Sequence, residues 1–292
     1  MIVGKPKHGL SLLITMHGSV LPRILPRIGA VMALAAAITW IDTYLMPLQH
    51  ANAAAFTGFG IALSLFLGFR NNAAYERWWE ARKLWGQLIA DARALAREAL
   101  VFLPDAQRMD LIREMLAFVH LHRISLRQVS PDAELRRWST QTDDSAVRAL
   151  NRMAELVQQG YRSGSVDGFG VRSLMERLAS IGLAQAGCER IASTPLPFVY
   201  SLLVYRTSVL YCLLLPLGLV ESAGWLTPIF TGVVAYMFFG LAAVTEELEN
   251  PFGTSLNGLS LDAMCRVIEI NLMPQIGYDA PDPAQPVGGY LS

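Results

Sequence analysis

The sequence predicts an all-helical membrane protein: four apolar helices arranged in two pairs, with a large helical region in water. Three observations predict it. Hydrophobic residues make up 53% of the 292 residues and charged ones 16%, with a mean hydropathy of +0.35. Four apolar segments each approach the roughly 20 residues that a helix needs to cross about 30 Å of hydrocarbon. Elsewhere apolar residues recur at three- and four-residue spacing, and no segment shows the alternation of a half-buried strand.

Residues 1–27 carry Lys5, Lys7 and a short apolar run, SLLITMHGSVL. The run lacks a small-residue cleavage site and prolines follow at once, so it reads as an amphipathic arm on the membrane rather than a signal peptide. The first span is Ile28–Met46 and the second Ala53–Phe69. The second passes without a proline into AAYERWWEARKLWGQLIADARALAREAL, so one rod could cross the bilayer and continue in water to about residue 100. Residues 101–197 read as a bundle of amphipathic helices. Gln107–Val129, Asp143–Gln159 and Val171–Ser193 have helical spacing, punctuated by Pro104, Pro131 and the glycines between Gly160 and Gly170. The third and fourth spans are Phe198–Val220 and Trp225–Val244. The last segment, 245–292, ends in GYDAPDPAQPVGGY, a draped or disordered tail.

Basic residues set the orientation. Four precede the first span, eighteen lie between the two pairs and one lies in the tail. The connectors PLQHAN and ESAG contain none. The positive-inside rule then puts both termini and the middle region in the cytoplasm. Arg206 interrupts the third span. It either serves function or snorkels to the interface, or it pairs with a carboxylate such as Glu246. Asp42 is expected at headgroup level, and Trp78, Trp79 and Trp85 as interface anchors and packing residues.

Several function classes are disfavoured. The formal net charge is zero, so charge implies no nucleic-acid partner. Cys188, Cys212 and Cys265 are far apart and suggest neither a disulfide framework nor a zinc site. His120 and His122 are two residues apart and face different sides of a helix, and His8, His17 and His50 are scattered. Hydrolase, metalloprotease and phosphate-loop motifs are absent. No catalytic residue, metal or cofactor is expected, and the protein is not expected to be an enzyme.

The second span carries the sharper signal. Ile61, Leu65 and Phe69 recur every four residues, beside a stripe of Gly60, Ser64 and Gly68. A ring of such helices could pack through the small stripe and aim the bulky one at its axis, making a hydrophobic constriction. On an arbitrary membrane helix the same stripe simply faces lipid or a neighbouring helix, and the pattern alone does not make a pore.

Residues 68–86, GFRNNAAYERWWEARKLWG, are similar to the bestrophin family, whose hallmark is a G-F followed by R-W-W at this spacing: Phe69, Arg77, Trp78 and Trp79. A second match is Asn250, Pro251, Phe252 and Gly253, with Glu246 and Glu247 just before it. The segment TPLPFVYSLLVYRTSVLYCLLLPLGLVESAGW resembles bacterial members, and the resemblance covers about residues 1–275. It implies a homopentameric ion channel in a bacterial inner membrane, with one pore on the fivefold axis and a helical cytosolic vestibule below. The second span would line the pore, with a neck of Ile61, Leu65 and Phe69. The family has a further constriction at the cytosolic exit, for which Ile181 is a candidate. The implied partners are copies of the same chain, membrane lipids and permeating monovalent ions. Those ions would be chloride and other anions by resemblance, or cations as in some bacterial members. Animal members bind calcium in an acidic cluster after the N-P-F-G motif. Here that stretch is TSLNGLSLD with Asp262 its only acid, so calcium gating is not expected. Glu246, Glu247 and Glu249 remain a candidate cation site. The alternatives are an alternating-access transporter, for which inverted repeats are lacking, and a non-conducting membrane scaffold.

Overall fold

A computed structural model describes residues 1, 16, 18–48, 52–139 and 144–292. Most of the expected N-terminal arm, with Lys5, Lys7, His8 and His17, lies outside the described residues, as does His50 in the first connector. Among the described residues the helices are α1 (Leu21–Tyr44), α2 (Ala53–Phe102), α3 (Asp105–Arg127), the single turn α4 (Ala133–Arg136), α5 (Ala146–Arg162), α6 (Gly168–Ser193), α7 (Phe198–Ala223), α8 (Thr227–Glu249) and α9 (Leu261–Leu272). Among the described residues the only bridge between extended residues is the isolated pairing of Val287 with Tyr290. The chain divides into two compact units.

The apolar unit comprises the described residues from 16 to 78 together with Pro195–Asn250. Three stretches, Leu21–Tyr44, Ala54–Phe102 and Phe198–Glu249, are long and apolar enough to cross a membrane. The last is broken by a 3-10 turn at Gly224–Leu226, which divides it into α7 and α8. Gly224 has φ +50°, a conformation that side-chain-bearing residues rarely adopt. The chain therefore folds back there, and α8 packs on both α7 and α1. The core is built from Ile24, Ile28 and Val31 of α1, Leu63 and Leu67 of α2, Val204 and Cys212 of α7, and Phe238 and Phe239 of α8. Gly218 lets α7 approach α2 closely: an added Cβ would run into the ring of Phe56.

The polar unit comprises Trp79–Thr194 and Pro251–Ser292, with Met1 beside the tail. Polar side chains start its helices as capping requires. Asp132 accepts from the Leu135 amide at 3.0 Å, Ser145 from Arg148 at 3.3 Å and Asp167 from Gly170 at 2.7 Å. α3 is the central element and packs against α5, α6 and α9. Its buried run includes Leu111, Ile112, Met115, Leu116 and Phe118, and Trp85 of α2 is wholly enclosed in the same unit.

Three expectations need adjusting. α1 begins at Leu21, because Pro22 sits in its first turn, where a missing amide hydrogen costs nothing. α8 runs on to Glu249, so the three glutamates lie in its last turns. α9 was not expected at all, and the tail beyond it is draped rather than loose. There Leu291 exchanges backbone hydrogen bonds with Met1, and Ser292 accepts from the Ala263 amide.

Candidate functional site

α2 is a single helix of 50 residues. Within the apolar unit its two faces differ sharply in exposure. Leu63 and Leu67 are 4% and 2% exposed, whereas Ile61, Leu65 and Phe69 are 67%, 58% and 58% exposed. A helix advances about 100° per residue, so the exposed stripe points almost directly away from the protomer's own core. Below Phe69 the same side of the helix continues as exposed Asn72, Glu76, Trp79, Lys83 and Gln87.

The flanks of α2 also differ. On one side Phe59, Ala62 and Phe66 line, with Leu203, Thr207 and Leu210 of α7, an apolar groove of about 470 Å³. On the other, Gly68 stands open, with nothing within 4 Å of where a Cβ would sit, and exposed Ser64 lies beside it, while the equally open Gly58 belongs to the exposed stripe itself. Gly60 does not belong to that open flank, contrary to the small-stripe expectation. It is covered by Tyr211, whose hydroxyl donates to the Phe56 carbonyl at 3.1 Å.

The two sequence motifs, more than 170 residues apart, meet in the apolar unit. Arg77 Nε donates to the Glu249 carbonyl at 2.8 Å, and buried Arg70 pairs with the Glu249 carboxylate at 3.3 Å. Glu249 directly precedes Asn250, which ends α8. Trp78 stacks on Tyr75 at 6.5 Å, while Trp79 is half-exposed. Beyond Asn250, Pro251 and Phe252 are buried, and the Pro251 carbonyl accepts from Leu259 at 2.8 Å. Gly253 and Gly258 cross so closely that a Cβ on Gly258 would strike the Gly253 carbonyl. The motif residues thus fix the end of α8 and close the loop that follows it.

Two expectations are corrected here. Glu246, Glu247 and Glu249 do not form a cation site. Glu246 is paired with Arg23 at 2.7 Å and Glu249 with Arg70. Glu247 leaves the helix about 100° from Glu246 and has its own interaction. Among the described residues no three His, Cys, Asp or Glu side chains converge as metal ligands. The pairing of Glu246 with Arg23 also removes it as the partner of Arg206. The second correction concerns Ile181, which is 0% exposed in the core of the polar unit. A side chain enclosed by its own protomer cannot line an aperture, and the exposed apolar residue on that part of α6 is Leu183.

In the polar unit a partly buried network forms whose pairings sequence reading missed. Arg123 reaches Asp132 and Asp262, both at 2.5 Å, and Arg127 reaches Asp262 at 2.6 Å. The Ser292 hydroxyl also donates to Asp262. Burial alone would raise the Asp262 carboxyl, but the Ser292 hydroxyl and the two guanidiniums outweigh it and hold it below the ordinary carboxylate range. The acid left in place of a calcium cluster is therefore fully engaged by arginines. One helix turn on, His120 and Glu269 meet at 2.9 Å, both buried. Burial would raise the Glu269 carboxyl too, yet the bond to His120 and the charge of Arg266 keep it low. The thiols are poor nucleophiles: burial, with Glu189 and Glu80 nearby, pushes Cys188 up to about 12.

Residues 1–274 match the family described as Bacterial/Fungal Bestrophin protein. A voltage-dependent anion channel-forming protein of Mesorhizobium japonicum is 46% identical to this chain, over 96% of this chain and 94% of its own length. The voltage-dependent anion channel-forming protein YneE of Escherichia coli K12 is 39% identical, over 98% and 97%. Among solved structures, a bacterial bestrophin homologue from Klebsiella pneumoniae superimposes with a TM-score of 0.79 at 32% identity, covering 90% of this chain and 100% of that one. A singly substituted form of the homologue from the same organism gives 0.81 at 33% identity, over 88% and 100%. In sequence and in fold, the chain belongs to the bestrophin family of ion channels.

Proposed function

We propose that five copies of this chain surround one pore and conduct small monovalent anions passively across the bacterial inner membrane. α1, the first part of α2, α7 and α8 are the four spans, and the polar unit is the cytosolic vestibule, with both termini in the cytoplasm. The observation that carries the reading is the exposed stripe of Ile61, Leu65 and Phe69, opposite the buried Leu63 and Leu67. Exposed large apolar residues at four-residue spacing, on a helix whose other side is packed, are the material of a hydrophobic neck. The unlike flanks of α2 support a closed ring: the bulky, grooved flank of one copy can seat the small flank of the next.

Relatives named as anion channel-forming proteins favour anions. The neck itself carries no charge. Its Phe69 ring offers a positive edge or a negative face according to its rotation. Calcium is not needed, because Asp262 is held by Arg123 and Arg127. The test is a planar-bilayer recording of purified protein under a tenfold potassium chloride gradient. A reversal potential near the chloride equilibrium value supports the reading. One near the potassium value makes the protein a cation channel, and an absence of current under any gradient makes it a scaffold.

A further inference from the structure

α1 and α7 carry two guanidiniums at one level of the apolar unit. Arg27 of α1 lies over the ring of Tyr205, 5.5 Å from its centroid. Arg206 is the next residue of α7, and both arginines are exposed. Neither has a carboxylate partner among the described residues. Arg206 stands in the middle of an apolar face: Leu203, Leu210 and Leu213, three, four and seven residues away, share its side of the helix and are exposed. An unpaired guanidinium on such a face is costly in a membrane unless an anion meets it.

The acids of this unit leave little to supply that anion. At the end of the unit where α8 finishes, Glu246 and Glu249 are already paired with Arg23 and Arg70, and Glu247 is engaged as well. Asp42, at the opposite end of α1, accepts from the Leu48 amide at 2.8 Å. Glu76 lies seven residues, or two turns, past Phe69 on the exposed side of α2, turned from the unit's core. Glu221, near the end of α7, is engaged too, so among the described acids of this unit Glu76 alone has no partner within its own copy.

We infer that Arg27, Tyr205 and Arg206 form a binding site for the phosphate of an anionic phospholipid, whose acyl chains run over Leu213, outside the groove. The cation–π contact with Tyr205 holds Arg27 in place. Arg27 lies one turn, about 6 Å, deeper along α1 than Arg23. Its side chain and that of Arg206 are long enough to snorkel back toward a headgroup while their methylene stems stay in the hydrocarbon. Two planar forks converging on a tetrahedral oxyanion suit phosphate better than any single contact would. The inference rests on α1 and α7 spanning a membrane and not on conduction, so a failed current recording leaves it standing.

The test is native mass spectrometry of the purified oligomer in detergent, titrated with phosphatidylglycerol and, separately, with phosphatidylcholine. The wild type should hold phosphatidylglycerol more tightly. Arg27→Gln and Arg206→Gln should each weaken that binding about tenfold, the worth of one charge-assisted hydrogen bond. Arg162→Gln, on an exposed position of α5, should leave it unchanged. Melting temperatures in lipid-free detergent establish that each variant is folded. Equal binding of the two lipids, or undiminished phosphatidylglycerol binding by the double variant, would overturn the site. So would a folded Arg206→Gln variant whose oligomer dissociates without lipid, since Arg206 would then serve a contact between copies.

Discussion

Ile61, Leu65 and Phe69 are exposed where a soluble protein would bury such residues, and the stripe they form is one side chain wide. Replacing all three with alanine should widen the neck and raise single-channel conductance severalfold. An assembled triple variant with unchanged unitary current would remove the neck assignment. At the same scale, His122 is the residue whose ionisation the fold opposes most plainly. It lies between Trp85 and Phe118, with ring centroids 5.6 and 5.8 Å away, and neither ring nitrogen is bonded. Burial lowers its pKa from 6.5 to about 4. The folded protein keeps this imidazole neutral, whereas the unfolded chain protonates it below pH 6.5. Its contribution is therefore complete above pH 6.5 and is lost as the pH falls toward 4, by about 3 kcal/mol in all. Melting temperatures of His122→Phe should fall less steeply than wild type between pH 6.5 and 4.5. Slope left at still lower pH comes from the carboxyls that the fold holds low, Asp132, Asp144, Asp262 and Glu269.

At the scale of the element, α2 joins a membrane-type segment to a water-type one without a break. Its 50 residues span about 75 Å at 1.5 Å each. Leucine and phenylalanine give way to Glu76, Lys83 and Arg97 on its exposed side. Lys83 lies four turns below Phe69 and has no carboxylate partner among the described residues. In the proposed ring it presents five positive charges to ions beyond the neck. Lys83→Glu should shift the reversal potential under a potassium chloride gradient toward the potassium value; an unmoved potential would show that Lys83 does not face the ion path. Gly218 is a second element-scale case. Its missing side chain is what lets α7 meet Phe56 of α2. Gly218→Ala should cost about 1–3 kcal/mol through forced displacement of the ring, read as a lower melting temperature in detergent.

For the whole molecule, arginine–acid contacts join segments distant in sequence within each unit. Arg70 and Arg77 hold the end of α8 in one, and Arg123 and Arg127 hold Asp262 and the tail in the other. The second cluster occupies the acid that would otherwise be left for a divalent ion. Channel current should therefore persist in a chelator, and its abolition would show a divalent site. Cross-linking of the purified protein should end at five copies; a different limit would revise the ring.

How much of this was legible follows from the range of each interaction. Apolar length and helical spacing are local properties, so the sequence by itself determined the helical class, the membrane segments, the rod-like α2 and the Ile61–Leu65–Phe69 stripe. The same local logic was available for α9, where Leu261, Met264, Cys265, Ile268 and Leu272 repeat at helical spacing and are buried, but the proline-rich tail beside it masked the pattern. Which acid Arg23, Arg70 and Arg127 meet depends on chain folding over more than 100 residues, and no spacing encodes it. Only the tertiary structure decided that Glu246 and Glu249 are spent on Arg23 and Arg70, that Ile181 points into a core, and that Arg206 is left facing outward without a carboxylate. Helix periodicity states which residues share a face; what that face touches is settled by packing, because burial and pairing belong to the neighbours and not to the residue.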